Sequence, residues 1–117
     1  MLINDPRQGE IYFANLPESG WRPVIIVSRD TLNRGNYLAV VGVTSKNFDR
    51  RRVLDNCVPF RAGEFGFTSD CVAQCETITN THRRWFDPDP IGRLDTMTLR
   101  SVINAIGDVI AAECEPV

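Results

Sequence analysis

The sequence lacks the features that mark several large classes of protein. Its 117 residues contain no apolar run close to the roughly 18 to 20 residues that a membrane span requires. The first residues do not follow the basic-then-apolar order of a secretory signal. A chain of this length comfortably forms one hydrophobic core. We therefore expect a single cytoplasmic domain over residues 1–117 that has no membrane partner.

Metal-ligating side chains are few and poorly spaced. The sequence has four cysteines, none of them in a C-x-x-C pair, and His82 is the single histidine that could join them in a zinc site. We therefore expect no metal and no cofactor. The thiols are expected to be reduced and buried as small apolar side chains. The cysteines are Cys57, Cys71, Cys75 and Cys114.

Lysine is nearly absent, although cationic side chains are not. Lys46 is the one lysine among 13 lysine and arginine residues, which leaves twelve arginines. Arginine can grip a phosphate through two parallel hydrogen bonds and can stack on a base, whereas lysine acts as a point charge. A net charge of −2 argues against general affinity for nucleic acid. The composition favours a few selective phosphate contacts over a uniformly basic surface.

The first two thirds of the chain consist of short β-prone runs separated by turn signals. The expected strands are residues 7–16, 23–28, 37–44, 53–60 and 70–79, and residues 45–52 form a polar loop. Pro23 is placed at the first residue of its strand, where a missing N–H costs least. Five short strands at this spacing predict a small barrel.

The last part of the chain changes its hydrophobic period. Its apolar residues recur at helical spacing after Asp95, a good N-cap residue. The expected apolar stripe contains Leu99, Val102, Ile103, Ile106 and Ile110. The pattern predicts one C-terminal helix that packs on the barrel.

Taken in order, these elements resemble the MazF/PemK (Kid) toxins of bacterial type II toxin–antitoxin modules. The matching stretches are "RQGEIYFANLP", "GWRPVIIVSRDTLN", "VVGVTS", "SDCVAQCETIT" and "IGRLDTMTLRSVINAIGDVI", which together cover nearly the whole chain. The resemblance implies a mainly β fold, a small SH3-like β-barrel of the CcdB/PemK type with a C-terminal α-helix. It also implies a homodimer and a metal-independent endoribonuclease that cuts single-stranded RNA at short sequences. A cognate antitoxin protein would restrain it.

Arg22 is the first candidate catalytic residue. RNA is cut without a metal when its own 2′-OH attacks the adjacent phosphate, and a fixed guanidinium stabilises the charge that develops there. Thr44 and Ser45, at the end of the third strand, supply hydroxyl and N–H groups for the same phosphate. The alternative for Arg22 is an ordinary surface residue that pairs with Glu18 or Asp30.

Three residues are candidates for the group that takes the 2′-OH proton. Glu76 stands at the acid position of the fifth strand in the resemblance and is preferred. Glu18, four residues before Arg22, matches the loop acid of some members only approximately. His82 has a convenient unperturbed pKa near 6.5, but it lies in a polar turn where a solvated histidine is more common.

Further residues are expected to bind RNA outside the reacting phosphate. Trp21 or Phe48 would stack a base, and the basic loop would hold flanking phosphates. The sequence "ETITN", Glu76 to Asn80, keeps the acid of the family pattern E-Q-I-R-T and loses its amide and cation, which affects the cleaved sequence. The remaining expected RNA-binding residues are Lys46, Arg50, Arg51, Arg52, Thr77, Thr79 and His82.

Two alternatives remain open at the level of sequence, because a fold does not by itself determine function. One is a gyrase-inhibiting toxin similar to CcdB, although the tail of residues 111–117 lacks the aromatic ending associated with that mode. The other is a catalytically weakened relative that binds only RNA or an antitoxin, which the altered "ETITN" motif leaves open.

Overall fold

The computed structural model describes residue 3, residues 5–111 and residue 113. Cys114 lies outside the described residues. So does most of the tail of residues 111–117, which bears on the comparison with gyrase-inhibiting toxins. The strands are β1 Glu10–Leu16, β2 Gly20–Ile26, β3 Tyr37–Thr44, β4 Cys57–Phe60, β5 Cys71–His82 and β6 Gly92–Arg93. The helices are α1 Phe48–Arg51 and α2 Thr96–Val109, and single 3₁₀ turns cover Leu32–Arg34 and Arg83–Trp85.

The six strands form one antiparallel sheet in the order β4-β5-β3-β2-β1-β6. The sheet curls so that the loop after β4 meets β6 at the opposite end. Gly66 of that loop, with a φ of +92°, lies directly against the backbone of Ile91 and Gly92. A side chain at Gly66 or Gly92 would collide with the facing backbone, so glycine is required at this contact. The result is a half-barrel, as the sequence predicts for a mainly β chain.

Two groups of buried apolar residues cover the two faces of the sheet. The first includes Ile25, Val41 and Phe60 and lies beneath α2, which contributes Val102 and Ala105. The second lies on the opposite face and includes Tyr12, Val24, Leu38 and Phe86, with Ile3 packed into it. The central strands are buried on both faces, which explains the near-continuous apolar run in β2.

The predicted C-terminal helix is confirmed. The Asp95 carboxylate accepts the Thr98 N–H at 2.7 Å, and hydrogen bonds from Thr98 lower the pKa of that carboxyl. Three residues of the predicted stripe pack against the core, namely Leu99, Val102 and Ile106. Ala105 joins them, whereas Ile103 and Ile110 are exposed, with Ile110 67% exposed. The helix therefore packs on the predicted face, along a narrower stripe than predicted.

The second strand begins earlier than expected. It starts at Gly20, so Trp21 and Arg22 are strand residues that pair with Asn15 and Ala14 of β1. Pro23 is the fourth residue of this strand and not the first. It is tolerated because β3 pairs with β2 only from Val24 onwards, so no ladder bond on that side is lost.

The predicted boundaries of several other elements were wrong, because pairing between strands decides them and local sequence does not. The strand expected at residues 53–60 begins at Cys57, and Val53 and Leu54 are exposed in the preceding turn. The polar loop contains the single-turn helix α1, and β5 continues three residues beyond the predicted end, to His82. The two-residue strand β6 was not predicted, because two residues carry no periodicity.

Across the described residues, the longest helix is α2 with 14 residues. No helix in that part of the chain is long and apolar enough to cross a membrane.

The contact between the two ends of the sheet predicts the effect of two glycine substitutions. We expect Gly92→Ala to lower the free energy of unfolding by about 1–3 kcal/mol, because the added methyl forces the loop away from β6. Gly107→Ala, in open space within α2, should instead raise it by about 0.5–1 kcal/mol through helix propensity. Urea unfolding of both variants is the measurement. Equal effects of the two changes would show that the ends of the sheet are not in tight contact.

Candidate functional site

The side chain of Arg22 lies across the glycine of a neighbouring strand. A Cβ atom at Gly42 in β3 would lie 3.6 Å from Arg22 Cδ and 4.0 Å from Nη1. The same position is 3.8 Å from Leu16 Cδ1. The arginine stem therefore lies over Gly42, at van der Waals distance from a side chain placed there. Among the described residues, no ion pair holds it.

A large bulge in β5 lies opposite this glycine. Val41 pairs with Ile78 and Val43 pairs with Ala73, so Gly42 alone faces the four residues 74–77. Residues directly opposite one another in a sheet point to the same side. Cys75, on one side of the register shift, belongs to the buried group beneath α2. Thr79, on the other side of the shift, pairs with Val40 and faces the opposite side of the sheet. The bulge brings Gln74 and Thr79 to the side of the sheet that carries Arg22.

Arg22 lines two cavities. The first, which we name the aromatic cavity, has a volume of about 440 Å³. Its lining includes Phe13, Trp21, Phe67, Thr44, Ser45 and Lys46. The second, which we name the polar cavity, has a volume of about 270 Å³, and its lining includes Glu18, Ser19, Gln74, Thr77 and Thr79. Arg22 is the residue common to both linings.

The guanidinium is short of partners within the described part of the chain. Arg22 Nε is buried and has no hydrogen-bond partner among the described residues. Asp30, one of the two expected surface partners, pairs with Arg7 at 3.3 Å instead. Among residues 3, 5–111 and 113, no ion pair joins Arg22 to Glu18. A buried donor without a partner costs about 1–3 kcal/mol, so the state of this Nε calls for an explanation, of which a bound ligand is one.

Thr44, Ser45 and Lys46 follow one another at the end of β3 and line the aromatic cavity. The Thr44 hydroxyl oxygen is buried and accepts the Lys46 N–H at 3.2 Å. Its proton remains available for donation, because the oxygen is the acceptor in that bond. Arg22 and these three residues all line the aromatic cavity.

The three candidate bases lie in different places. Glu18 lines the polar cavity together with Arg22. Glu76 is exposed and lines neither of the cavities around Arg22. The pKa values of Cys57 and Cys75 are raised chiefly by burial of these thiols, and the charge of Glu76 adds to the effect. His82 accepts the Arg84 N–H through Nδ1 at 3.1 Å and packs edge-on against Tyr37 at 5.1 Å. The structure thus brings only Glu18 to Arg22.

The basic residues of the polar loop are partly committed to structural contacts. The Arg61 guanidinium lies over the Phe48 ring at 5.0 Å, so this ring already has a partner. Arg52 pairs with Asp49 at 3.6 Å. Arg51 has a buried Nε without a partner among the described residues, while Arg50 is exposed. The two cavities are lined by none of the loop residues expected to bind RNA, which are Phe48, Arg50, Arg51 and Arg52.

Three residues of the site were not selected from the sequence. Gln74 lines the polar cavity, while Phe13 and Phe67 line the aromatic cavity. Gln74 is a polar residue within an apolar β-prone run, which is a signal that could have identified it. Phe13 and Phe67 carry no such signal, because aromatic residues in strands and turns usually belong to the core.

The described cysteines are free and buried, as the sequence predicts. Burial, followed by the charges of Asp70 and Glu64, raises the pKa of Cys71 to about 11. Burial also raises the pKa of Cys75 to about 12. These thiols are therefore protonated at neutral pH and are poor nucleophiles. No three His, Cys, Asp or Glu residues within residues 3, 5–111 and 113 lie close enough to hold a metal ion.

Comparison with known proteins places this geometry among a set of toxins. The sequence model of the PemK-like, MazF-like toxin of type II toxin–antitoxin systems matches residues 7–110. Endoribonuclease EndoA of Bacillus subtilis (strain 168) is 27% identical over 106 residues, which cover 86% of this chain and 90% of that protein. Two solved structures share the fold, each with a TM-score of 0.75.

The first of these structures is a mycobacterial endoribonuclease in complex with its cognate antitoxin. It is 20% identical, with 95% of this chain and 99% of that chain covered. The second is the Mycobacterium tuberculosis toxin MazF-mt6, which is 22% identical, with coverage of 90% and 99%. At these identities the structural matches establish the fold, and the sequence-model match over residues 7–110 establishes the family.

Proposed function

Because this chain belongs to the PemK-like, MazF-like toxins of type II toxin–antitoxin systems, we propose that it is an endoribonuclease neutralised by a cognate antitoxin. Its substrate is single-stranded RNA, which it cuts at short sequences without a metal ion. The observation that carries the proposal is Arg22, which lies over Gly42, lines both cavities and has a buried Nε without a partner among the described residues. A phosphate diester is the ligand that a planar guanidinium of this kind fits best.

The scissile phosphate binds where the two cavities meet. Arg22 donates to its oxygens from one side, and the Thr44 hydroxyl with Ser45 and Lys46 donates from the aromatic cavity. These donors stabilise the additional negative charge of the phosphorane that forms during the reaction. Arg22 does not need to reorganise, because its stem is already packed on Gly42.

The nucleophile is the RNA's own 2′-OH, which attacks the adjacent phosphorus. Glu18 is the acid in the polar cavity with Arg22, and it takes the 2′-OH proton. The bond to the 5′-oxygen then breaks, and that oxygen takes up a proton. The products are a 2′,3′-cyclic phosphate and a 5′-hydroxyl end. Glu76 and His82, outside the two cavities, keep only peripheral roles in RNA binding.

The RNA on either side of the cut is held by aromatic and basic side chains. Trp21 is 61% exposed at the mouth of the aromatic cavity and stacks on a base. Arg50, which is exposed, and its neighbours Arg51 and Arg52 bind phosphates farther along the strand. Phe48 contributes through its contact with Arg61 and not as a free stacking surface.

The partners of the toxin are a second copy of the chain and the antitoxin. Trp85, Met97 and Ile110 are large apolar side chains that are exposed in the single chain, which supports a homodimer. The antitoxin contributes an acidic segment that occupies the phosphate position beside Arg22. The complex of the mycobacterial endoribonuclease with its own antitoxin supports a partner of this kind.

One observation favours a second candidate function, binding of RNA or antitoxin with weakened cleavage. Thr77 and Thr79 line the polar cavity at positions where the family pattern has an amide and a cation. Two neutral hydroxyls bind RNA less tightly than a cation would. This candidate differs from the first in the rate of cleavage and not in the place where RNA binds.

The proposed activity is tested by incubating the purified protein with a long RNA in EDTA and mapping the ends. We expect discrete cuts that leave 5′-hydroxyl ends, because the chemistry uses the 2′-OH of the RNA. Uncut RNA that is nevertheless bound would support the weakened relative. Uncut RNA together with inhibited gyrase would support the CcdB-like alternative and contradict the proposal.

Arg22→Lys tests the role of the guanidinium. Lysine keeps the positive charge but cannot donate to two oxygens at once, so cleavage should fall on the order of a hundredfold. RNA affinity should change less, because other arginines also hold phosphates. Arg50→Lys, a change of the same kind at an exposed position, is the matched control and should cut at nearly the parent rate. Single-turnover cleavage of one short RNA measures all three proteins. Parent activity in Arg22→Lys would rule out this role.

Substitutions at Gly42 test whether packing positions Arg22. A methyl at this position makes ordinary contact with Arg22 Cδ, so Gly42→Ala should retain most of the cleavage rate. The two additional methyl groups of Gly42→Val require the arginine stem to move, and we expect a loss of roughly ten- to a hundredfold. Circular dichroism confirms the fold of each variant. Equal rates for the valine and alanine variants would contradict the packing argument.

A further inference from the structure

The polar cavity contains an amide side chain that the cleavage chemistry does not use. Gln74 lines this cavity and is half-buried. Within residues 3, 5–111 and 113, no hydrogen bond joins its side-chain amide to another residue. An amide carries an acceptor and two donors side by side, which matches the paired donor and acceptor on the edge of a nucleobase.

We propose that Gln74 reads the base on the 5′ side of the cut, which enters the polar cavity. The proposal rests on the proposed endoribonuclease activity and extends it to the choice of cleavage sequence. The nucleotide on the 5′ side carries the attacking 2′-OH. That hydroxyl must face Glu18, and Glu18 lines the polar cavity. The base of the same nucleotide therefore lies against the other walls of this cavity.

The position of Gln74 is fixed by the fold. Its backbone pairs with Cys57 of β4, and the next residue, Cys75, donates its N–H to the Asn56 carbonyl at 2.9 Å. The amide is therefore presented from a paired strand and not from a free loop. Side chains on rigid elements hold the geometry that base discrimination requires.

The other polar residues of the cavity discriminate less well. Thr77 and Thr79 each offer one hydroxyl, which can rotate to donate or accept and so accommodates several bases. Glu18 offers acceptors only and is occupied by the 2′-OH proton in the proposed reaction. Arg22 can also form two such bonds, but the proposed reaction assigns it to the phosphate, which leaves Gln74 to form two directional hydrogen bonds with one base edge.

The aromatic cavity receives the nucleotide on the 3′ side of the cut. Its aromatic residues stack on a base without selecting among the four, because every base has a π-face. Sequence selection by Gln74 is therefore expected on the 5′ side of the cut, with little effect of this residue on the 3′ side.

The test is the cleavage pattern of Gln74→Ala and Gln74→Glu on one long RNA of known sequence. Initial rates at each mapped end give the preference for each base on both sides of the cut. We expect Gln74→Ala to reduce the preference at the 5′ position by on the order of ten- to a hundredfold, the discrimination typical of one bidentate contact. Gln74→Glu keeps the size and loses the N–H donors, so the preferred base at that position should change to one that offers donors.

Asn104→Ala is the matched control, because Asn104 is an exposed amide side chain on α2 that lines neither cavity. It should retain the parent pattern, and thermal unfolding confirms that each variant is folded. Parent preference at the 5′ position in both Gln74 variants overturns the proposal. A change only at the 3′ position, or a slower rate with unchanged preferences, also overturns it. If the parent protein makes no cuts, the endoribonuclease assignment itself fails, which is a different result.

Discussion

The packing of the Arg22 stem on Gly42 is the contact on which the site depends. A side chain larger than a methyl group at Gly42 would displace the arginine, and the bulge in β5 opposite the glycine leaves room beside it. Arg22 is also the residue that the linings of the two cavities share. A charge positioned by packing keeps its donors free, whereas a charge positioned by an ion pair has already used them.

The same bulge determines which polar residues accompany Arg22. Strict alternation along β5 would place Gln74 and Thr79 on opposite sides of the sheet. The extra residues reverse the alternation, so both line the polar cavity, while Glu76 lies outside it. One irregularity of pairing thus brings the proposed specificity residue, Gln74, to the side of the sheet that carries Arg22.

Local sequence signals predicted the features that depend on side-chain propensity and capping. The β-branched run of β3 and its end at Thr44 were predicted correctly, as were the Asp95 cap and the helix after it. The bulge, strand β6 and the contact between Gly66 and Gly92 could not be predicted in this way, because they arise from pairing between distant segments. Arg22 and Thr44 were selected from motif and resemblance, and the preference for Glu76 over Glu18 rested on its alignment with the acid of the family pattern in the fifth strand.

A double-mutant cycle between Arg22 and the scissile phosphate tests the central claim most directly. The RNA carries a 2′-deoxy nucleotide at the cut to prevent cleavage, and the scissile phosphate is either normal or a neutral methylphosphonate. Binding of both RNAs to the parent and to Arg22→Ala gives the coupling free energy. Direct contact predicts a coupling of about 1.5–3 kcal/mol, the range for hydrogen bonds to charged groups. Additive effects at this phosphate, with coupling at a neighbouring one or at none, would contradict the claim that Arg22 holds the reacting group.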